Sequence, residues 1–345
     1  MPEKDPYRIF KEAERKRNRS RFLDAIPLYI ESKKLGRGDA AHALSCLLSL
    51  GHAYRMAGEF ARAGSSYKGA YILAASLGKK TDSFDALVGW GLAKRAENKL
   101  QEALGLFAKA EKAYRKSGDG AGLAFTLWAK AGAFRIKGDL KKALRGFEES
   151  RGLFKRLGDA SGAGYSLCGL GGASRTLGRY NDSLRYYSRA NSVFTGLKDT
   201  FGRAYSYCGI ANALMMTKRF KEALEFFKKA KSNYKKIGDR VSYAYTLWGE
   251  GTAYQLLGKD NPALKNFREA ERLFKETKDR RGLIYCMLSM AETEFKKTEK
   301  GRARKTLKLA SKKAGELGLR TEKGYAQLLI RTMEKSPGDL PLNLP

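Results

Sequence analysis

The sequence predicts an all-α solenoid of stacked helix pairs. Three observations carry that expectation: residues recur with a period of 40, each period holds two helix-length apolar patterns, and glycines fall between them. At intervals of 40, Ala63 is followed by Ala103, Ala143, Ser183, Ala223, Ala263 and Ala303. Tyr67 is followed by Phe107, Phe147, Tyr187, Phe227, Phe267 and Leu307, and Ala70 by Ala110, Ser150, Ala190, Ala230, Ala270 and Ala310. A repeat in such register stacks its units so that each buries its apolar face on the next. A shorter unit comes first, with Phe22, Ala25 and Tyr29 matching Phe60, Ala63 and Tyr67.

Within a unit, helix A comes first and helix B second. Helix B of one unit runs from about Phe220 to Ile237, with Ala223, Phe227, Ala230 and Tyr234 at the spacing of a single helical face. The A–B turn carries Gly58, Gly138, Gly178 or Gly258, where a left-handed backbone is wanted. Helix B stops at Gly118, Gly158, Gly238 and Gly318. The next residues, Asp119, Asp159, Asp199, Asp239 and Asp279, are placed to cap the following helix A. Basic pairs such as Lys155–Arg156 and Lys235–Lys236 complement the dipole at the end of helix B.

This pattern resembles the tetratricopeptide repeat, whose small residue, turn glycine and Ala–aromatic–Ala series match Gly251, Tyr254, Gly258, Ala263, Phe267 and Ala270. The resemblance spans about residues 7 to 335. It lacks the proline that closes the common 34-residue unit and looks like the 40-residue subclass. It implies a right-handed α-α superhelical solenoid of about eight helix pairs, with helix A lining a concave groove and a partner bound there. The expected organisation is one solenoid over 1–335 (repeats near 7–45, then period 40 from about 46) and a Pro/Leu-containing tail, 336–345, that cannot continue the helix.

The 345 residues include 68 Lys and Arg against 36 Asp and Glu, a net charge of +32. That balance attracts polyanions, or else serves as a solvated surface. No run approaches the roughly 18 apolar residues of a membrane-spanning helix, and Met1 to Ser20 is charged throughout, unlike a secretory signal. The expected compartment is therefore cytoplasmic, with Cys46, Cys168, Cys208 and Cys286 reduced. No CxxC pair occurs, and the two histidines, His42 and His52, give a zinc site or a Cys–His catalytic pair little to stand on. With no phosphate-binding loop, paired carboxylates or activated nucleophile in the pattern, the expectation is a non-enzymatic scaffold without cofactors.

The groove face of helix A holds the candidate binding residues. One column is aromatic: Phe125, Tyr165, Tyr205, Tyr245, Tyr285 and Tyr325. The next contains Trp128, Cys168, Cys208 and Trp248. Beside them Gly132, Gly169, Gly172, Gly209 and Gly249 suggest that space is needed, since a glycine inside a helix costs about 1 kcal/mol relative to alanine. A further column reads Arg55, Arg95, Arg135 and Arg175, then Met215, Gln255 and Phe295. Packing between helices is an equally good reason for aromatic residues at this spacing, and Cys168 and Cys208 read as small apolar fillers. The family's carboxylate clamp is not recognisable: Asn212 fits one of its positions, but Cys208 stands where a lysine belongs.

Three readings follow. The first is an adaptor holding an extended acidic-apolar peptide, acids on the arginines and side chains between the rings. The second is a carrier or sensor of an elongated amphipathic small molecule such as a lipid, isoprenoid or pigment. The third is single-stranded RNA binding by base stacking on the aromatic ladder.

Overall fold

The computed structural model of the protein describes residues 5–19, 21–296 and 300–335, and all regular structure among them is helical. The fold is an all-α helical-repeat solenoid whose residues group into two compact units, Met1–Ala173 and Ser174–Pro345. The first unit holds α1 (Pro6–Asn18), α2 (Phe22–Leu35), α3 (Ala40–Met56), α4 (Phe60–Ser76), α5 (Lys80–Ala96), α6 (Leu100–Ser117), α7 (Gly120–Lys137) and α8 (Leu140–Arg156). The boundary falls near the end of α9 (Ala160–Thr176). The second unit continues with α10 (Tyr180–Gly196), α11 (Thr200–Met216), α12 (Phe220–Ile237), α13 (Arg240–Leu256) and α14 (Asp260–Glu276). It ends in α15 (Arg280–Lys296), α16 (Lys300–Glu316) and α17 (Arg320–Lys335). Odd-numbered helices are A helices and even-numbered ones B helices, giving eight pairs and a last A helix. The 336–345 tail lies outside the described residues.

Local chemistry sets these boundaries. Asp119, Asp159, Asp199, Asp239 and Asp279 each accept a hydrogen bond from the backbone N–H three residues on, at 2.8–2.9 Å, and so cap the A helices. The turns close through a left-handed residue. It is glycine at Gly58, Gly138 and Gly258, but Asn98, Lys198, Lys218 and Lys278 adopt the same positive φ. The alanine columns of the B helices are fully buried, from Ala63 through Ala303 and from Ala70 through Ala310.

The units are locked by rings set into glycine notches. An added Cβ at Gly89 would lie 2.2 Å from the Tyr67 ring, at Gly169 2.4 Å from Phe147, at Gly209 2.1 Å from Tyr187 and at Gly249 2.7 Å from Phe227. Each ring belongs to a B helix and each glycine to the following A helix. Rings also press on the A helix of their own pair, as Tyr67 does on Gly51 and Phe267 on Gly251. A second series repeats the device two turns further along the B helix: Tyr114 on Gly122, Phe154 on Gly162, Phe194 on Gly202 and Phe274 on Gly282. Four of the glycines beside the groove columns, which the sequence suggested leave space, are filled by other side chains of the fold. Gly169, Gly209 and Gly249 hold B-helix rings, and Gly132 holds the Arg95 guanidinium, whose Nη1 would stand 2.5 Å from an added Cβ.

This packing predicts opposite signs for two similar substitutions. Gly209→Ala forces a methyl into the Tyr187 ring and is expected to destabilise by about 1–3 kcal/mol. Gly105→Ala, mid-helix in α6 with nothing within 4 Å of the new methyl, is expected to stabilise by about 0.5–1 kcal/mol. Urea unfolding of the two variants beside the wild type reads both.

Candidate functional site

A cavity of about 410 Å³ opens in the second unit, on the A-helix face. Its walls are Tyr245 and Trp248 from α13 and Tyr285 from α15, with Tyr325 from α17 at one side. Cys208, Asn212, Met215 and Met216 of α11 form the other side, Phe220 and Phe227 lie at the back, and Arg175 and Lys218 bring positive charge. Thr252, Ser289 and Glu292 add polar groups, Glu292 being only 1% exposed.

The aromatic wall is held rather than loose. Trp248 Nε1 donates to Ser289 Oγ at 2.9 Å, and its ring lies 4.9 Å from that of Tyr285, tilted by 35°. Tyr245 packs edge-on against Phe274 at 4.7 Å and Tyr285 at 6.1 Å. The Tyr285 hydroxyl donates to Glu322 at 3.2 Å, and Arg281 bonds the same carboxylate at 2.8 Å while lying over the Tyr285 ring. Burial raises the Tyr245 and Tyr285 hydroxyls well above the usual tyrosine range, so both stay neutral donors. Burial likewise pushes the Cys208 thiol up to about 12, and its sulfur sits 3.1 Å from the Thr246 hydroxyl. That thiol is a filler and not a nucleophile.

Eight of the groove residues named from sequence meet here: Arg175, Cys208, Asn212, Met215, Tyr245, Trp248, Tyr285 and Tyr325. Tyr205 stays outside, 41% exposed. Arg55, Arg95, Phe125, Trp128, Arg135, Tyr165 and Cys168 belong to the first unit. There Phe125 stacks on Trp128 at 5.6 Å, and the Trp128 Nε1 donates to the Tyr165 carbonyl at 3.3 Å. Arg95 lies over the Trp128 ring and donates to the Ala129 carbonyl at 3.2 Å. Arg55 approaches the His52 ring nitrogen at 3.5 Å. Arg135 is half-buried, and Cys168 is 1% exposed. The arginines were expected as a row of acid receivers, whereas Arg55 and Arg95 carry internal bonds.

Sequence reasoning missed Lys218, Ser289 and Glu292. Two of them were readable in the columns. Glu292 follows Gly132, Gly172, Asn212 and Thr252 at intervals of 40, and Ser289 follows Gly169, Gly209 and Gly249. Away from this cavity, the structure does bring a cysteine to a histidine, with Cys46 Sγ 3.6 Å from His42 Nε2 and Ser32 Oγ 2.8 Å from the same nitrogen. All three are buried, and Tyr7 and Phe10 pack on the imidazole. Burial raises the Cys46 thiol, so the cluster is a sealed contact between helices. Among the described residues no group of three or more His, Cys, Asp or Glu could hold a metal ion, and no helix is long and apolar enough to cross a membrane.

With this architecture in view, residues 201–276 match the tetratricopeptide repeat family model. Residues 201–276 thus carry a tetratricopeptide repeat, in a chain whose fold is a tetratricopeptide-like helical solenoid. Solved structures agree in fold. A Rap conjugation gene regulator of the plasmid pLS20, in complex with the Phr* peptide, is 14% identical with a TM-score of 0.68, covering 93% of this chain and 98% of that one. A Rap protein complexed with Competence and Sporulation Factor is 12% identical with a TM-score of 0.63, covering 97% and 99%. Aspartyl phosphate phosphatase F from Bacillus subtilis is 11% identical with a TM-score of 0.56, covering 98% and 96%. A search of curated protein sequences finds no match. Similarity at this level shows the fold alone, and one fold hosts many functions.

Lys218 offers a clean separation of charge from structure in this tetratricopeptide-like repeat. Its φ of 61° is one that glycine adopts without strain. Lys218→Gly is expected to leave the melting temperature unchanged or raise it by a few degrees while removing a cation from the cavity, and differential scanning calorimetry checks this.

Proposed function

We propose that the chain is a non-enzymatic binding scaffold whose second-unit cavity receives an extended peptide or protein segment with apolar and acidic side chains. The observation that carries this reading is the composition of the cavity wall: Trp248, Tyr245 and Tyr285 beside Arg175 and Lys218. Tryptophan, tyrosine and arginine dominate binding hot spots. The apolar part suits an aliphatic or aromatic anchor, and the two cations favour a carboxylate next to it. Asn212 offers an amide that both donates to and accepts from a peptide backbone. The Rap proteins of the same fold that were solved with Phr* peptide or with Competence and Sporulation Factor lend support by analogy.

The base-stacking reading loses support at this cavity. Tyr285 and Tyr325 are 5% and 9% exposed, and Tyr245 meets its neighbours edge to face, so few ring faces are offered to a base. An elongated small molecule would use the same wall, and its size range, roughly 300–1,000 Å³ of pocket, includes this cavity. Native mass spectrometry of the purified protein separates the two: a co-purifying organic molecule at stoichiometric level would replace the peptide reading.

The direct test is selection from a library of ten-residue peptides, followed by tryptophan fluorescence titration of the enriched sequences. Enriched peptides are expected to combine Asp or Glu with Leu, Ile or Phe. Trp248→Ala is expected to weaken their binding by about 30-fold or more, the scale of a hot-spot residue, and Arg175→Gln to weaken acidic peptides more than neutral ones. No enrichment, or binding indifferent to both substitutions, would refute the proposal.

A further inference from the structure

A different face of the second unit carries charge that neither the fold nor the peptide reading uses. Over 300–335 there are eleven Lys and Arg against three Glu. One of those glutamates, Glu322, is buried against Arg281. Helix α16 has no acid before Glu316, near its C-terminal end.

Other B helices offset their cations. Arg185 pairs with Asp182 on α10, Lys228 with Glu225 on α12, and Arg272 with Glu276 on α14. On α16, Lys305, Lys308 and Lys312 are exposed and make no ion pair among the described residues. Lys305, Lys308 and Lys312 fall at intervals of three and four, on one exposed side of the helix. Like charges at that spacing repel and weaken a helix. The first turn also holds Lys300 and Arg302, where the helix dipole favours acids. The buried alanines and Leu307 on the opposite side account for the helix and leave this charge unexplained.

We propose that the outer face of α16 binds the phosphate backbone of nucleic acid. Lys305, Lys308 and Lys312 are spaced about 4.5–6 Å along the helix, close enough to repel one another, and phosphates set against them relieve repulsion that the free protein carries. Backbone contacts of this kind read no base sequence. The proposal is independent of the cavity and its occupant.

The experiment is fluorescence anisotropy with a labelled 20-nucleotide oligonucleotide of mixed sequence, single-stranded and duplex, over a range of salt. The variant Lys305→Gln/Lys308→Gln/Lys312→Gln is compared with Arg219→Gln/Lys228→Gln/Lys275→Gln, which removes equal charge from ion-paired sites at the N-cap of α12, on α12 and on α14. The α16 variant is expected to bind at least about 10-fold more weakly at low salt. Its slope of log affinity against log salt should be shallower by about 2 to 3, since each phosphate contact contributes roughly 0.7–0.9. The control should change by less than about 3-fold. Lys305→Arg/Lys308→Arg/Lys312→Arg should retain binding, and circular dichroism melts check that all variants fold. Unchanged binding by the α16 variant, an equal loss in the control, or tight binding to phosphatidylserine vesicles with none to the oligonucleotide would each overturn the proposal.

Discussion

The structure depends on one steric fit, a ring of a B helix seated in a glycine notch of the next A helix. Glycine inside a helix costs about 1 kcal/mol against alanine, and burial of a large apolar side chain returns roughly 1.5–3 kcal/mol. Where the ring fills the notch, as Tyr187 fills that at Gly209, the exchange favours folding. The fit also fixes distance and register together. A shift of one residue would carry the ring off the glycine onto a neighbouring side chain. Ring and notch recur at the same step at Tyr67–Gly89, Phe147–Gly169, Tyr187–Gly209 and Phe227–Gly249, while Ala129 and Ser289 stand in the notch position after Phe107 and Phe267.

Three residues past the notch position, on the neighbouring part of the A-helix surface, side chains vary from unit to unit. The column Gly132, Gly172, Asn212, Thr252 and Glu292 shows this. In the first unit the missing side chain at Gly132 admits Arg95, whose guanidinium turns onto α7 and bonds the Ala129 carbonyl. At the equivalent step in the second unit Asn212 occupies that position, and both it and Arg175 line the cavity. A single change in side-chain volume separates an arginine that serves packing from one that faces a cavity.

How much of this was legible follows from the kind of information each feature needs. The fold was readable because period, caps and buried alanines are properties of one chain position and its repeats, as Asp199 and Ala223 illustrate. The glycines were misjudged because packing and ligand space both call for a small residue. Only knowledge of the ring opposite decides between them, as Phe227 does for Gly249. The cavity was half legible. Trp248 and Tyr285 stood out by type, whereas Ser289 and Glu292 matter through what they face. Lys218 was hidden because it takes a turn position that glycine holds elsewhere, and nothing in its type announces a left-handed backbone. Cys46 and His42 are four apart on α3, a spacing visible in sequence, but the seal over them comes from α1.

The polar groups behind the cavity explain why its wall is rigid. Burying a charge or an amide is costly unless it is paired, yet this region buries several. Glu250 is held by Lys231 at 2.6 Å, Gln255 bonds Thr293 at 2.9 Å, and Glu322 joins Arg281 to Tyr285. Apolar residues at these places would pack without such a cost, so stability alone does not account for them. What they supply is direction: Ser289 fixes the Trp248 ring through its N–H, and Glu322 fixes Tyr285 through its hydroxyl. A wall of aromatic rings that is already oriented loses little side-chain freedom when it binds. The second unit thus trades part of its packing energy for a surface whose shape is already set.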